Sequence, residues 1–167
     1  NCTISGNTSS NDGGGIYNYS VQYGNTVHSF ANTRTVRDNI VINSLGAPDG
    51  STYGRQGMGI YHDGQSSNIR TIHNVVSSAL LGIFHNGGHD IFIDSNTVYD
   101  CTHAVYCLQI GGPINNLTVT NNFLVAKTSG QYSAYYYPGT GSMPASFVAS
   151  NNYYCRPINE SSGWIHY

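Results

Sequence analysis

Residues 59–101 read GIYHDGQSSNIRTIHNVVSSALLGIFHNGGHDIFIDSNTVYDC, and this stretch decides the fold. It holds two copies of one pattern, NIRTIHNVV from Asn68 and DIFIDSNTV from Asp90, which align without a gap. In each copy the second and fourth positions lie on one face of a strand, because side chains alternate along a strand. Fourteen residues after Asn68 the sequence reads GIFH, and fourteen after Asp90 it reads AVYC. The 22-residue spacing of the two copies is too short for helical crossovers and indicates stacked solenoid coils.

Further copies extend the repeat in both directions. NCTISGNTS begins at Asn1, NLTVTNNFL begins at Asn116, and NIVINSLGA from Asn39 fits in its first half. The seventh position of the full copies is always Asn, namely Asn7, Asn74, Asn96 and Asn122. We predict that these asparagines are structural, with left-handed backbone at a turn and amides that bond the equivalent amide of the next coil.

The predicted architecture is all-β, a right-handed parallel β-helix that forms a single domain over residues 1–167. The sequence begins within a copy of the repeat at residue 1 and ends within a predicted strand at residue 167, so we expect a fragment of a longer β-helix. Two strands recur in register, which predicts two stacked sheets. One interior ladder is predicted to contain Ile16, Ile60, Ile83 and Val105.

The repeat also predicts where each coil begins. Clear coils are expected to start near residues 1, 39, 68, 90 and 116, with an irregular coil over 19–38. Gly, Ser, Tyr and Pro are abundant over about 127–150, which predicts a long loop there. A last coil is expected over about 151–167.

The composition excludes some partners. Charged residues make up 8% of the chain, and the net charge of -2 offers no basic face to a nucleic acid backbone. No apolar stretch is long enough to cross a bilayer, so membrane insertion is not expected. Nucleic acid and membrane are therefore not predicted partners.

The cysteines do not have the spacing of metal ligands, so we predict no metal and no cofactor from them. Cys2 occupies a position that is Ile or Leu in other copies, which predicts a buried side chain. A disulfide between Cys101 and Cys107 stays open as an alternative. The acidic residues are dispersed and do not form the Asp-rich run of a calcium-binding loop. A Ca ion that bridges neighbouring coils stays open as a minor alternative.

Aromatic residues follow the predicted interior ladder by one position. Tyr61, Phe84 and Tyr106 should therefore point outward in adjacent coils, with Tyr17 two or three coils away on the same sheet. Such a stripe can bind substrate by stacking on sugar rings. With equal weight, the rings simply stabilise the sheet or lie beneath a loop.

The next positions hold the candidate catalytic groups, His62, His85 and Asp63. Strict alternation sends the two histidines inward and Asp63 outward beside Tyr61. The glycines that follow indicate a bend, which would turn one or both histidines toward solvent, where they could transfer protons. The alternative is a stacked polar ladder that closes the end of the strand.

The stretch over residues 59–101 resembles secreted bacterial right-handed β-helix proteins of the pectate-lyase-like superfamily, which are related to polysaccharide lyases and glycoside hydrolases. Asp63 matches the first acid of the GIY-x-DD element of such proteins, and Gly64 stands in place of the second. The ending SNNYYCRP from Ser150 also resembles their last coil. The resemblance implies substrate-binding positions at Asn86 and His89, where relatives often have His and Arg.

Together these features predict a secreted or cell-surface protein that binds an extended polysaccharide. If it also cleaves the polymer, Asp63 is the expected acid or base. A hydrolase then needs a partner carboxylate, whereas a lyase can use a His or Tyr as its base. The alternative is a non-catalytic structural or adhesive solenoid module of an extracellular assembly, with a glycan or other protein subunits as its partner.

Overall fold

The computed structural model describes residues 1–9, 13–19, 33–46, 57–64, 66–109, 112–137, 145–156 and 165–166. Every regular element among them is a β-strand, and neighbouring strands pair in parallel. Most strands belong to three large sheets, which the chain visits in the order sheet 1, sheet 2, sheet 3 before it begins the next coil. The predicted all-β parallel β-helix is confirmed.

The strands are numbered along the chain. Sheet 1 contains β3 (Gly14–Tyr19), β7 (Met58–Asp63), β10 (Leu81–Asn86), β13 (His103–Leu108), β16 (Tyr132–Tyr137) and β19 (Ile165–His166). Sheet 2 contains β4 (Arg34–Arg37), β8 (Ile69–Ile72), β11 (Gly88–Asp94), β14 (Ile114–Thr120) and β17 (Val148–Ser150). Sheet 3 contains β1 (Thr3–Ser5), β5 (Ile40–Ile42), β9 (Val75–Ser77), β12 (Thr97–Tyr99), β15 (Phe123–Val125) and β18 (Tyr153–Cys155). A short pair is formed by β2 (Thr8–Ser9) and β6 (Leu45–Gly46).

The described residues form three large sheets where the sequence predicts two. The repeat does not form one strand, because it divides between sheet 2 and sheet 3 at a residue with left-handed backbone. His73 and Ser95 are two such residues, each with a φ of 54°. A single left-handed residue turns the chain through a corner. The apolar pattern does not reveal this corner, because residues on both sides of it point into the same core.

The strand register also shows that two coils do not start where the sequence predicts. The pairing of β5 with β9 places Asn39 beside Asn74 and not beside Asn68. The sheet 2 strand of that coil is β4, which lies within the range predicted to be irregular. At the N-terminus Ile4 pairs with Val41, so the first copy of the repeat also begins in sheet 3. The assignment was wrong because Asn followed by alternating apolar residues fits the start of either strand.

A ladder of asparagine side chains runs along the corner between sheets 2 and 3. The Oδ1 of Asn96 accepts hydrogen bonds from the backbone N–H and the Nδ2 of Asn74, at 2.9 and 3.0 Å. Asn96 donates to the Oδ1 of Asn122 in the same way. The structural role of these residues is confirmed, but the left-handed backbone falls on the residue before each one. The ladder also includes Asn39 and Asn152.

Asn7 does not join this ladder. It lies at the next corner of its coil, where its carbonyl accepts a hydrogen bond from the Leu45 N–H at 3.1 Å. The prediction for Asn7 was therefore wrong. The cause is the same shift of register that displaced the first copy of the repeat.

Segments that were predicted to be irregular contain strands. The predicted loop over about 127–150 includes β16 and β17, which pair with β13 and β14. Of that loop, residues 138–144 lie outside the described residues, as do 20–32 of the predicted irregular coil and 157–164 of the predicted last coil. Two strands of that last coil, β18 and β19, pair with β15 and β16.

Apolar side chains from the three sheets fill the interior. The predicted ladder is confirmed, with Ile60, Ile83 and Val105 fully buried and Ile16 packed at its end. A Cβ on Gly82 would lie 2.5 Å from the Cγ1 of Val98, which explains why a glycine precedes Ile83.

Each of the cysteines is a free thiol. Cys2 is exposed and not buried as predicted, because its coil begins in sheet 3. Cys101 and Cys107 are both buried and form no disulfide with each other. Burial raises the pKa of both thiols to about 12, so they stay protonated.

Candidate functional site

A row of aromatic rings crosses the outer face of sheet 1, parallel to the axis of the solenoid. We call the following residues the aromatic row: Tyr17, Tyr61, Phe84, Tyr106 and Tyr135. Successive ring centroids are 5.2, 4.3, 5.3 and 4.9 Å apart, close to the spacing of neighbouring strands. The three predicted rings thus lie on one outer face in adjacent coils. Tyr17 lies in the coil next to Tyr61, not two or three coils away.

The middle of the aromatic row is covered. Tyr61 and Phe84 are only 3% and 5% exposed. They pack with Met58, Leu81 and Leu108 in a second apolar cluster, separate from the core. Their burial favours the interpretation that these two rings stabilise the sheet. The accessible rings are at the two ends of the row, where Tyr17 is exposed and Tyr106 and Tyr135 are half-buried.

Asp63 is the centre of a polar cluster at the end of β7. Its Oδ2 accepts a hydrogen bond from the Tyr17 hydroxyl at 3.0 Å. Its Oδ1 accepts from the Asn86 Nδ2 at 3.1 Å and from the Gly64 N–H at 2.7 Å. The structure thus brings together the predicted Asp63 and Asn86, and it adds Tyr17. We call these three residues the Asp63 cluster.

Hydrogen bonds from three donors fix the orientation of the Asp63 carboxyl group, which is only 9% exposed. A carboxylate in this position polarises the Tyr17 hydroxyl, since hydrogen bonds to an ionised acceptor are strong. No salt bridge and no second carboxylate contacts Asp63 within the described part of the chain. The cluster therefore has one acid and one exposed phenol.

Both candidate catalytic histidines point into the interior, where His62 and His85 are 0% exposed. The His62 Nδ1 accepts a hydrogen bond from the Asn18 Nδ2 at 3.2 Å, so its Nε2–H donates to the Thr71 Oγ1 at 2.7 Å. Neither ring nitrogen of His85 makes a hydrogen bond of good geometry. The predicted bend thus does not turn either ring outward, and neither can reach a ligand at the surface.

Burial keeps both of these histidines neutral. It lowers the pKa of His62 well below the usual range, and the neighbouring His85 adds to this effect. It lowers the pKa of His85 to about 4, although contact with the Gly87 backbone opposes part of the shift. The two rings, 5.7 Å apart, form part of a buried polar ladder, which is the alternative considered for them.

His89 lies at the corner between sheets 1 and 2 and does not join the Asp63 cluster. Its Nδ1 donates to the Asp90 Oδ2 at 2.7 Å, and its backbone N–H donates to the Ser67 Oγ. Asp90 also accepts from the Asn116 Nδ2 at 2.9 Å. These contacts give His89 and Asp90 a structural role at the turn.

A second aromatic site contains the predicted Tyr106 together with three residues that were not predicted from the sequence. His103 stacks on Tyr132 with centroids 4.8 Å apart and planes 4° apart, and it meets Tyr135 edge-on at 5.3 Å. Tyr106 lies 4.9 Å from both His103 and Tyr135. We call these four half-buried residues the His103 cluster. Burial lowers the pKa of His103 to about 4, so its imidazole is uncharged near neutral pH.

One sequence signal could have revealed this site. YSAYYY from Tyr132 aligns with HAVYCL from His103, with an apolar residue at the third position and Tyr at the fourth. The surrounding glycines, serines and prolines concealed the match.

The described residues contain no group of three or more His, Cys, Asp or Glu side chains arranged to bind a metal ion. No helix that is long and apolar enough to span a membrane occurs in the same residues.

Among the described residues of sheet 1, the Asp63 cluster is exposed at Tyr17, and the His103 cluster is half-buried. Comparison of the chain with protein-family models, with curated proteins and with solved structures gives no match. The family resemblance of residues 59–101 stays a prediction from the sequence.

Proposed function

We propose that this protein is a polysaccharide-binding β-helix, secreted or held at the cell surface, and that the polymer docks on the His103 cluster. The observation that supports this proposal is the half-buried group of rings on the outer face of sheet 1. Aromatic faces pack against the apolar C–H faces of sugars, while tyrosine hydroxyls provide hydrogen bonds. A face that repeats along a solenoid axis suits a ligand that also repeats.

Binding is favoured over cleavage because the predicted catalytic groups are poorly accessible. His62 and His85 lie inside the solenoid, and Asp63 is only 9% exposed.

Tyr135→Ala tests the proposal, with Tyr153→Ala as its matched control. Tyr153 is an exposed tyrosine of sheet 3, away from the His103 cluster. Affinity electrophoresis against glucan, xylan, mannan and polygalacturonate should show that at least one polymer retards the wild type. Loss of one stacking ring should weaken that binding about tenfold, or roughly 1.4 kcal/mol. Equal effects of the two variants, or no retardation by any polymer, would contradict the proposal.

Cleavage by β-elimination is a second candidate function, and the hydrogen bond from Tyr17 to Asp63 favours it. Tyr17 is 44% exposed, so its phenol can meet a polymer while its proton is held toward a buried carboxylate. In such a step the Tyr17 oxygen takes the proton from the sugar carbon next to the carboxyl group of a uronic acid, while the Tyr17 proton passes to Asp63. The electron pair left on that carbon forms a carbon–carbon double bond, the glycosidic C–O bond at the next carbon breaks, and the released oxygen is protonated by solvent.

Product analysis separates the two functions. Elimination leaves unsaturated sugar ends that absorb ultraviolet light, whereas hydrolysis leaves only reducing ends. If elimination occurs, both Tyr17→Phe and Asp63→Asn should abolish it. If the wild type binds a polymer and releases no product, the protein is a binding module.

A further inference from the structure

A groove of about 480 Å³ follows the corner at which sheet 3 leads into sheet 1. Thr8 lies at one end and Gln131 at the other, and Leu45, Ser78 and Thr102 come from the coils between them. Five coils contribute, so the groove extends over four strand spacings, or roughly 19 Å. We call it the corner groove. Its length and direction suit several units of a linear polymer.

The one charge that the described lining of the corner groove carries is paired with a lysine. The charged side chain, Asp100, accepts hydrogen bonds from the Gln131 Nε2 at 2.8 Å and from the Lys127 Nζ at 3.0 Å. These contacts hold the pKa of Asp100 below its usual range, so it is ionised and paired with the Lys127 cation. The other lining groups are hydroxyls, such as Ser78 and Thr102, and aliphatic side chains.

The corner groove opens beside the His103 cluster. Thr102 directly precedes His103, and Gln131 directly precedes Tyr132. Tyr61 and Phe84, in the middle of the aromatic row, are buried and offer no free ring face to a polymer. The groove offers an open path along the axis instead.

We propose that the corner groove binds an uncharged polysaccharide whose chain continues onto the His103 cluster. This inference rests on the proposed function and narrows its ligand to a neutral polymer. The sugar hydroxyls bond Thr8, Ser78 and Thr102, and the C–H faces lie against Leu45 and Leu80. Among the described residues the groove offers no unpaired charge to an anionic or a cationic polymer, because Asp100 is paired with Lys127.

Calorimetric titration of four proteins tests this inference: wild type, Leu45→Asp, Val148→Asp and Tyr135→Ala. Leu45 is 51% exposed in the groove, and the control residue Val148 is 47% exposed on sheet 2, so neither substitution disturbs the core. The probes are linear hexasaccharides of glucose, xylose and mannose, together with hexagalacturonate. We expect at least one neutral hexasaccharide to bind, with Leu45→Asp about tenfold weaker and Val148→Asp unchanged.

The four proteins distinguish failure of the groove from failure of the proposed function. If Tyr135→Ala weakens binding and Leu45→Asp does not, the proposal that the corner groove binds the polysaccharide is wrong. The proposed docking site on the His103 cluster is then still supported. If only hexagalacturonate binds, the proposal that the ligand is an uncharged polysaccharide is wrong. If no hexasaccharide and no polymer binds the wild type, both proposals fail.

Discussion

The Tyr17 hydroxyl donates a hydrogen bond to the Asp63 Oδ2 at 3.0 Å, and the two residues belong to neighbouring coils. The donor ring is 44% exposed, whereas the acceptor is only 9% exposed. Asp63 has no salt bridge among the described residues, so its burial depends on neutral donors. The contact thus links the stability of the strand end to the exposed phenol of Tyr17.

Asp63→Asn should lower the free energy of unfolding by about 1 to 3 kcal/mol. The amide has one acceptor oxygen, so its NH₂ must face either Tyr17 or the donors from Asn86 and Gly64. Urea denaturation measures the loss. Tyr17→Phe removes one donor and leaves the other two, so its effect should be smaller. An Asp63→Asn variant as stable as the wild type would show that these hydrogen bonds contribute little.

Asn96→Ala should destabilise the protein by roughly 3 kcal/mol or more, because it leaves several buried groups without partners. Asn96 bonds Asn74, Asn122 and the Thr71 carbonyl, and it is only 1% exposed. Asn7→Ala is the matched control, and it should change stability by less than about 0.5 kcal/mol, because Asn7 bonds through its backbone. Thermal or urea unfolding of both variants measures these losses of stability and thereby tests the strand register that places Asn7 outside the ladder. Equal losses would contradict the placement of Asn7 outside the ladder.

Acid should destabilise the fold before it titrates most carboxylates. His85 has a pKa of about 4 in the folded protein against 6.5 in the unfolded chain. The unfolded state therefore binds the proton first, so stability is full above pH 6.5 and falls as the pH drops toward 4. The difference corresponds to about 3 kcal/mol.

His85→Gln should reduce this dependence on pH. The surface histidine His73, whose side chain is 53% exposed, provides the control His73→Gln, which makes the same substitution outside the core. Urea midpoints measured between pH 4 and 7.5 give the comparison. If His85→Gln and the wild type lose stability in parallel, the neutral state of His85 is not what sets the dependence.

Thiol labelling should follow burial. Cys2 is exposed and should react first in the native protein, whereas Cys101 and Cys107 should react only after unfolding. Burial also raises the pKa of both buried thiols to about 12, which removes the reactive thiolate. Mass spectrometry of the labelled protein, with and without denaturant, shows the order in which the cysteines react. A disulfide between Cys101 and Cys107 in the unreduced protein would contradict the structure.

Much of the fold could be predicted from the sequence, because each interior position recurs in every coil. Ile60 and Ile83 lie in the predicted ladder, and strict alternation places His62 and His85 inside. The number of sheets could not be predicted in the same way. The left-handed corner at His73 leaves no mark on the apolar pattern, and it is what separates sheet 2 from sheet 3.

The candidate site was predictable only in part. Asp63 and Asn86 occupy the same position on adjacent strands, so alternation placed both on the outer face. The burial of Tyr61 and Phe84 depends on a second apolar cluster, whose members are far apart in sequence. The His103 cluster was hidden because Tyr132 and Tyr135 lie in a stretch whose composition is typical of a loop.

The central claim is that a polysaccharide docks on the His103 cluster, and hydroxyl-radical footprinting tests it most directly. Oxidation of individual tyrosines is measured by mass spectrometry with and without the polymer that retards the protein. We predict that Tyr132 and Tyr135 are protected, while Tyr99 and Tyr153, exposed on sheet 3, keep their rates of oxidation. Protection of the sheet 3 tyrosines with none at Tyr132 or Tyr135 would contradict the claim.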